Sequence, residues 1–175
     1  MEESGVLKVN IVRGKKLVVR DFMSSDPYVV VKLGNQAAKT KVVKSCLNPV
    51  WNDEFSFNIK ERFGVLELEV FDRNRFTSDD KMGHAFLNLQ PLVSCSKLRR
   101  VLQLTTGETK LRKVAPEIDN CLLTGSFIMN KNGEIVLDAC LKLLDVESGE
   151  LYVTVKFIEH PTAKNLEKPD CKMHI

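Results

Sequence analysis

Two short segments hold the residues best suited to chemistry. One is the run Arg20-Asp21-Phe22-Met23-Ser24-Ser25-Asp26-Pro27-Tyr28; the other is Phe71-Asp72-Arg73-Asn74-Arg75-Phe76-Thr77-Ser78-Asp79-Asp80. Calcium is a hard cation that takes six to eight oxygen ligands from carboxylates, amides, carbonyls and water. Two neighbouring loops at one end of a sheet structure could bring Asp21, Asp26, Asp72 and Asp80 to a shared cup. Asn74 could add its amide oxygen, and the peptide carbonyls of Arg20 and Arg73 could complete the shell. Aspartate is also common in turns, where it bonds its own backbone, and for either loop alone that is the reading to prefer. The pairing of D-x4-D with D-x-N-x5-D shifts the balance towards a cation site.

A third segment, Lys39-Thr40-Lys41, sets two lysines on one face of an expected strand. Such a face attracts phosphorylated head groups, at about 1 kcal/mol per lysine near an anionic membrane. Lysine also guards edge strands against aggregation, and taken alone that explanation is sufficient. Phe22, Met23 and Phe76 would flank the cup as apolar tips able to enter a membrane; the alternative is that they pack on each other or on a neighbouring insertion. Trp51 is expected to pack at a sandwich corner, not to stack on a ligand.

The elements that must position these residues are strands. Leu7, Val9 and Ile11 alternate with Lys8 and Asn10, and Val29, Val31 and Leu33 oppose Tyr28, Val30 and Lys32. Phe55, Phe57 and Ile59 form another such set, as do Leu66, Leu68 and Val70. Residues 85–89, 135–143 and 151–158 are further candidates. Turn signals separate them: Gly34-Asn35, Asn48-Pro49, Asn132-Gly133 and Ser148-Gly149. Many short strands at regular spacing imply a β-sandwich. Too few residues precede the strand at 6–12 for an earlier one, so the last strand is expected to fill the remaining place. Residues 91–134 are too long for a hairpin loop and read as an insertion with a short helix and a hairpin, carrying the basic run 110–113. Residues 1–161 are read as one domain and 162–175 as a flexible tail.

Bulk properties exclude several classes. The 26 basic and 23 acidic residues leave a net charge of only +3. The five cysteines form no C-x-x-C pair, which supports neither a zinc site nor a disulfide framework. The acidic, strand-like start does not read as a signal peptide, and no apolar run nears the ~20 residues that span a bilayer. Cys171 stands one place too early for a prenylation box. A cytosolic or nuclear protein with reduced thiols is expected. No serine–histidine–aspartate constellation or glycine-rich phosphate loop is legible, so an enzyme is not expected. Basic residues without interleaved aromatics argue against nucleic acid.

The array Asp-x4-Asp-Pro-Tyr-Val-Val-Val, Lys-Thr-Lys, Asn-Pro-x-Trp-Asn-Asp-Glu and Phe-Asp-x-Asn-x-Phe-x-Ser-x-Asp-x-Met-Gly resembles a C2 domain from residue 5 to about 90. The insertion, with Lys113-Val-x-Pro-x-x-Asp119-Asn120-Cys121-Leu122, Asn132-Gly133-x-Ile135-Val136-x-Asp138 and Asp145-Val-Glu147-x-Gly149-Glu150, resembles the plant C2-domain abscisic acid-related family over residues 5–161. That resemblance implies an all-β fold: an eight-stranded antiparallel C2 sandwich of permuted, type II topology, with a small α/β insertion before the last two strands. It also implies calcium-dependent binding of anionic phospholipid, recruitment of abscisic acid receptors to the plasma membrane, and for some members GTPase activation. Localisation would be cytoplasmic and at the plasma membrane, with the nucleus as a further compartment, and the protein would be a monomer in solution.

The family's calcium (Ca2+) set falls on the Arg20 and Arg73 carbonyls and on Asp21, Asp26, Asp72, Asn74 and Asp80, with Phe22, Met23, Phe76, Lys39 and Lys41 facing lipid. Asn74 stands where the family's pattern has a fifth aspartate, so weaker calcium binding is expected unless lipid phosphate supplies the missing charge. The rival reading is a calcium-independent protein-interaction module, or a GTPase regulator, working through the basic insertion. No arginine is marked by context as a catalytic finger among Arg99, Arg100 and Arg112.

Overall fold

The computed structural model describes residues 5–20, 22–60 and 64–160. Alternating burial turns each expected run into a half-buried strand: β1 (Gly5–Lys15), β2 (Pro27–Leu33), β3 (Gln36–Lys39), β4 (Val50–Ile59), β5 (Val65–Asp72) and β6 (Asp80–Asn88). A helix, α1 (Gln90–Val101), follows, then β7 (Glu108–Val114), β8 (Ser126–Lys131), β9 (Glu134–Lys142) and β10 (Glu150–Glu159). One sheet runs β4-β1-β10-β9-β8-β7 and the other β3-β2-β5-β6. The last strand does fill the gap beside the first, since β10 pairs with both β1 and β9.

The eight expected sandwich strands are β1 to β6, β9 and β10. The insertion holds the expected helix and an antiparallel pair, β7 with β8. The pair joins the sandwich: β8 pairs with β9 through Met129↔Val136, Asn130↔Ile135 and Lys131↔Glu134, so β7 and β8 extend the larger sheet. Asn132 and Gly133 take positive φ at the turn, as a tight hairpin between right-twisting strands requires. Pro91 suits the first turn of α1, where a missing N–H costs nothing. The buried face of α1 is Leu92, Cys95 and Ser96, the i, i+3, i+4 spacing of one helical side. Glu159 receives Arg99 at 3.1 Å and Arg100 at 3.3 Å, fixing the helix end to β10.

The core lies between the sheets. Leu7, Val9 and Ile11 meet Val29, Val31, Leu66 and Leu68, all fully buried. Trp51 is buried at a corner, where its indole N–H donates to the Pro27 carbonyl at 3.3 Å.

Three of the four sheet edges are closed by side-chain hydrogen bonds or isolated bridges. The Gln36 amide grips Asn58 of β4 at both ends, donating to its carbonyl at 2.8 Å and accepting its N–H at 3.0 Å. Lys41 N–H donates to Asp53 at 2.9 Å beside it. These bonds close the β3 and β4 edges against each other. The β6 edge is met by Leu144, which exchanges two backbone hydrogen bonds with His84, and by Asn120 and Cys121.

Closure of the β6 edge depends on Gly83. Its φ is +97°, and a Cβ there would lie 2.6 Å from Val146 Cγ1 and 3.0 Å from the Leu144 carbonyl. Gly83→Ala is therefore expected to lower stability by roughly 2 kcal/mol, combining positive-φ strain with a backbone clash. Urea denaturation should show a lower midpoint with unchanged slope.

Candidate functional site

The three aspartates within the described residues come together through strand register, not through loop flexibility. Asp26 immediately precedes Pro27; Pro27 pairs with Asp72 across β2 and β5, and Asp72 pairs with Asp80 across β5 and β6. Adjacent strands lie about 4.8 Å apart, so the three residues form a row at one end of the four-stranded sheet. The sequence pattern places Asp72 and Asp80 in a loop. In the structure β5 continues to Asp72 and β6 begins at Asp80, leaving only residues 73–79 as loop. Asp21 lies outside the described residues.

Asp72 is wholly buried, and its Oδ1 accepts the Asp26 N–H at 2.8 Å. The Asp26 carboxylate accepts the Ser45 N–H at 2.7 Å, and the Asp26 carbonyl accepts the Arg73 N–H at 3.0 Å. One residue thus ties the β1–β2, β3–β4 and β5–β6 connections together. Ser25 secures the first of these, since its hydroxyl accepts the Arg20 N–H and donates to the Val18 carbonyl, both at 2.9 Å. The Arg20 side chain reaches the Lys81 carbonyl at 3.2 Å and Glu147 at 3.1 Å.

Asn74 uses the other end of its amide from the one a cation would need. Its nitrogen donates to the Ser78 carbonyl at 2.8 Å and to Asp80 Oδ2 at 3.0 Å. Both partners are acceptors, which assigns the nitrogen to that side. A donor already bonded to Asp80 supplies part of what a cation would supply.

Sequence reasoning gave Asp79 no part in the site, yet it organises this loop. It accepts the Asn74 N–H at 2.8 Å and a short hydrogen bond from the Tyr28 hydroxyl. The Tyr28 bond, then the Asn74 N–H, hold its carboxyl below the usual carboxylate range. Burial, then the bond to Asp79, pushes Tyr28 up to about 12. The tyrosine ring also stacks on Phe71 at 5.6 Å. The only signal in the sequence is Tyr28 following Asp26-Pro27, and nothing there says which aspartate it meets.

Basic and apolar groups surround the carboxylates. Lys44, Arg73 and Arg75 line a cleft of about 490 Å³ together with Asp26, Ser45 and Asn74. Phe22, Met23 and Phe76 are 99%, 80% and 92% exposed, so they do not pack on each other or on the insertion. Lys39 and Lys41 are both exposed on either side of buried Thr40. The expected shared strand is corrected: β3 ends at Lys39, because the Thr40 hydroxyl turns inward to accept the Val29 N–H at 3.0 Å. Lys41 lies beyond the strand and pairs with Asp53 at 3.9 Å.

The described donors at the row of aspartates are oxygens, as a hard cation requires, and they fit calcium in kind. Among the described residues, no three His, Cys, Asp or Glu side chains converge closely enough to hold an ion as they stand; that set does not include Asp21.

The C2 domain family model matches residues 5–104. Protein C2-DOMAIN ABA-RELATED 11 of Arabidopsis thaliana is 55% identical over 160 residues, covering 91% of this chain and 96% of its own length. The chain belongs to the C2-domain ABA-related family. GTPase activating protein 1 of Oryza sativa subsp. indica is 40% identical over 93% of this chain and 96% of its own length. Among solved structures, a calcium-bound pair of C2 domains from Extended-Synaptotagmin 2 superposes with TM-score 0.64 at 22% identity, covering 94% of this chain and 49% of that one. That likeness establishes the shared sandwich.

Two outcomes are expected of this C2 protein. The depressed Asp79 carboxyl contributes stability above the ordinary carboxylate pKa that is lost as pH falls through its folded value. In calcium-free Tyr28→Phe protein, the Asp79 titration followed by NMR should move up towards the ordinary range. Asn74→Asp replaces the internal donor with a further carboxylate, and calorimetry should show tighter calcium binding, because ligand charge helps set affinity.

Proposed function

We propose that this chain is a non-enzymatic module that binds anionic phospholipid in a calcium-dependent manner and brings a protein partner to the plasma membrane. The carrying observation is the row Asp26–Asp72–Asp80, flanked by the exposed tips Phe22, Met23 and Phe76 and by the basic cleft of Lys44, Arg73 and Arg75. Calcium at the row, held by Asp21, Asp26, Asp72 and Asp80 with the Arg20 and Arg73 carbonyls, would supply positive charge that a lipid phosphate can share. The chain's own residues do the rest. The basic cleft receives the phosphate, the apolar tips enter the acyl boundary, and exposed Lys39 and Lys41 add attraction along the sheet.

The relatives' names speak of abscisic acid and of GTPase activation, and the partner we propose is an abscisic acid receptor or, as the alternative, a small GTPase. For the GTPase alternative, two of the three candidate arginines are already engaged, since Arg99 and Arg100 both pair with Glu159. Arg112 is the remaining candidate, exposed on β7. This favours receptor carriage over transition-state stabilisation.

Sedimentation with phosphatidylserine vesicles tests the reading. The chain should co-sediment with calcium and stay in solution with chelator, and an Asp21→Ala, Asp26→Ala double variant should stay in solution in both. Equal binding with and without chelator would overturn calcium dependence. Phe22→Ala and Phe76→Ala should each weaken vesicle binding by up to about 1.5–3 kcal/mol, the value of a fully buried ring, without changing the melting temperature.

A further inference from the structure

The fourth sheet edge is unlike the other three. The β3 and β4 edges are closed by the Gln36 and Asp53 side chains, and β6 by Leu144 and Asn120. β7 is the last strand of the larger sheet, and among the described residues nothing pairs with its outer side. An open edge is a row of unpaired N–H and C=O groups and a ready template for another strand. α1 packs against β7, so the template is backed by rigid structure. We propose that the outer edge of β7 is a docking strand, to which an extended acidic segment of a partner protein adds as a seventh strand of the sheet.

Charge selects that occupant. Lys110, Arg112 and Lys113 are exposed along the seven residues of β7, against the single acid Glu108. An antiparallel second copy of β7 would set these cations against each other, and like charges directly opposite destabilise a strand pair. An acidic strand reverses the sign of the same contacts. The Lys110 ammonium lies 4.5 Å from the Phe127 ring centroid, and Phe127 is also the register partner of Lys113. Phe127 stands on β8, one strand in from the edge, and is 41% exposed. The bulge between Lys110 and Arg112 twists the edge and shortens the flat stretch, which disfavours long neutral strands. This is strand addition with charge-set specificity. It rests on the partner-carrying half of the function proposed above and is independent of the calcium and lipid half.

The test uses the full chain with chelator and no lipid. The probe is a capped peptide of alternating glutamate and valine, matched to the 7 residues of β7, with amide hydrogen exchange read by NMR. The acidic peptide should slow exchange within residues 108–114. A lysine–valine peptide should not bind, and neither should an acidic peptide N-methylated at every backbone amide, which can form no ladder with β7. Lys110→Glu combined with Lys113→Glu, both exposed positions, should weaken the acidic peptide by about tenfold or more, as expected for reversal of steering charges, with an unchanged NMR fingerprint elsewhere. The proposal is overturned if no amide in 108–114 is protected, or if the N-methylated peptide binds equally well. It is also overturned if phosphatidylserine vesicles in chelator protect β7 while the peptide does not, which would make the edge a lipid surface. Because the peptide experiment contains neither calcium nor lipid, its failure leaves calcium-dependent vesicle binding standing, and the reverse also holds.

Discussion

Burying the Asp72 carboxylate at the end of β5 obliges the three surrounding connections to organise themselves around it. A buried carboxylate costs several kcal/mol unless its oxygens find donors or a cation. The Asp26 N–H meets one oxygen, and Asp26 in turn holds Ser45 and Arg73 through its own oxygens. The arrangement is possible because β2, β5 and β6 are adjacent and in register at this end. Strand pairing thus prepares the site before any ligand arrives. Calcium at the row would add to a preformed frame, which lowers the ordering cost of binding.

Asn74 modifies that frame. As the donor to Asp80 it contributes an internal hydrogen bond where a fifth carboxylate would otherwise add repulsion. The loop 73–79 gains a defined shape from these bonds, with Asp79 held by Tyr28 and Asn74. The same substitution reduces the negative charge available to calcium. A carboxylate at position 74 would give up the bond to Asp80 and add a negative charge.

The insertion changes what the sandwich can present. In fusing to β9 it makes the basic β7 the outermost strand of the larger sheet, unpaired on its outer side among the described residues, while side chains and short bridges close the other three edges. The carboxylate row belongs to β2, β5 and β6 of the smaller sheet, and the open edge to the larger one. The row and the basic edge thus lie on different sheets of the sandwich.

Much of this was legible in the residues themselves. Strand alternation in 6–12, 27–33 and 66–70 reflects a period of two, which any half-buried strand must show. The paired aspartate loops carried the oxygen chemistry, while the exposure of Phe22, Met23 and Phe76 was open until the fold showed them uncovered. What only the tertiary structure decided was the local pairing. It extended β5 and β6 to Asp72 and Asp80, ended β3 at Lys39, gave Asp79 to Tyr28, and aimed the nitrogen of Asn74 at Asp80. It also placed β7 and β8 in the main sheet. These depend on which groups lie within about 3 Å across strands far apart in sequence, because a hydrogen bond acts only at that range. Residue type and spacing therefore determined which donors gather at this end of the smaller sheet, and strand register determined which atoms face one another there.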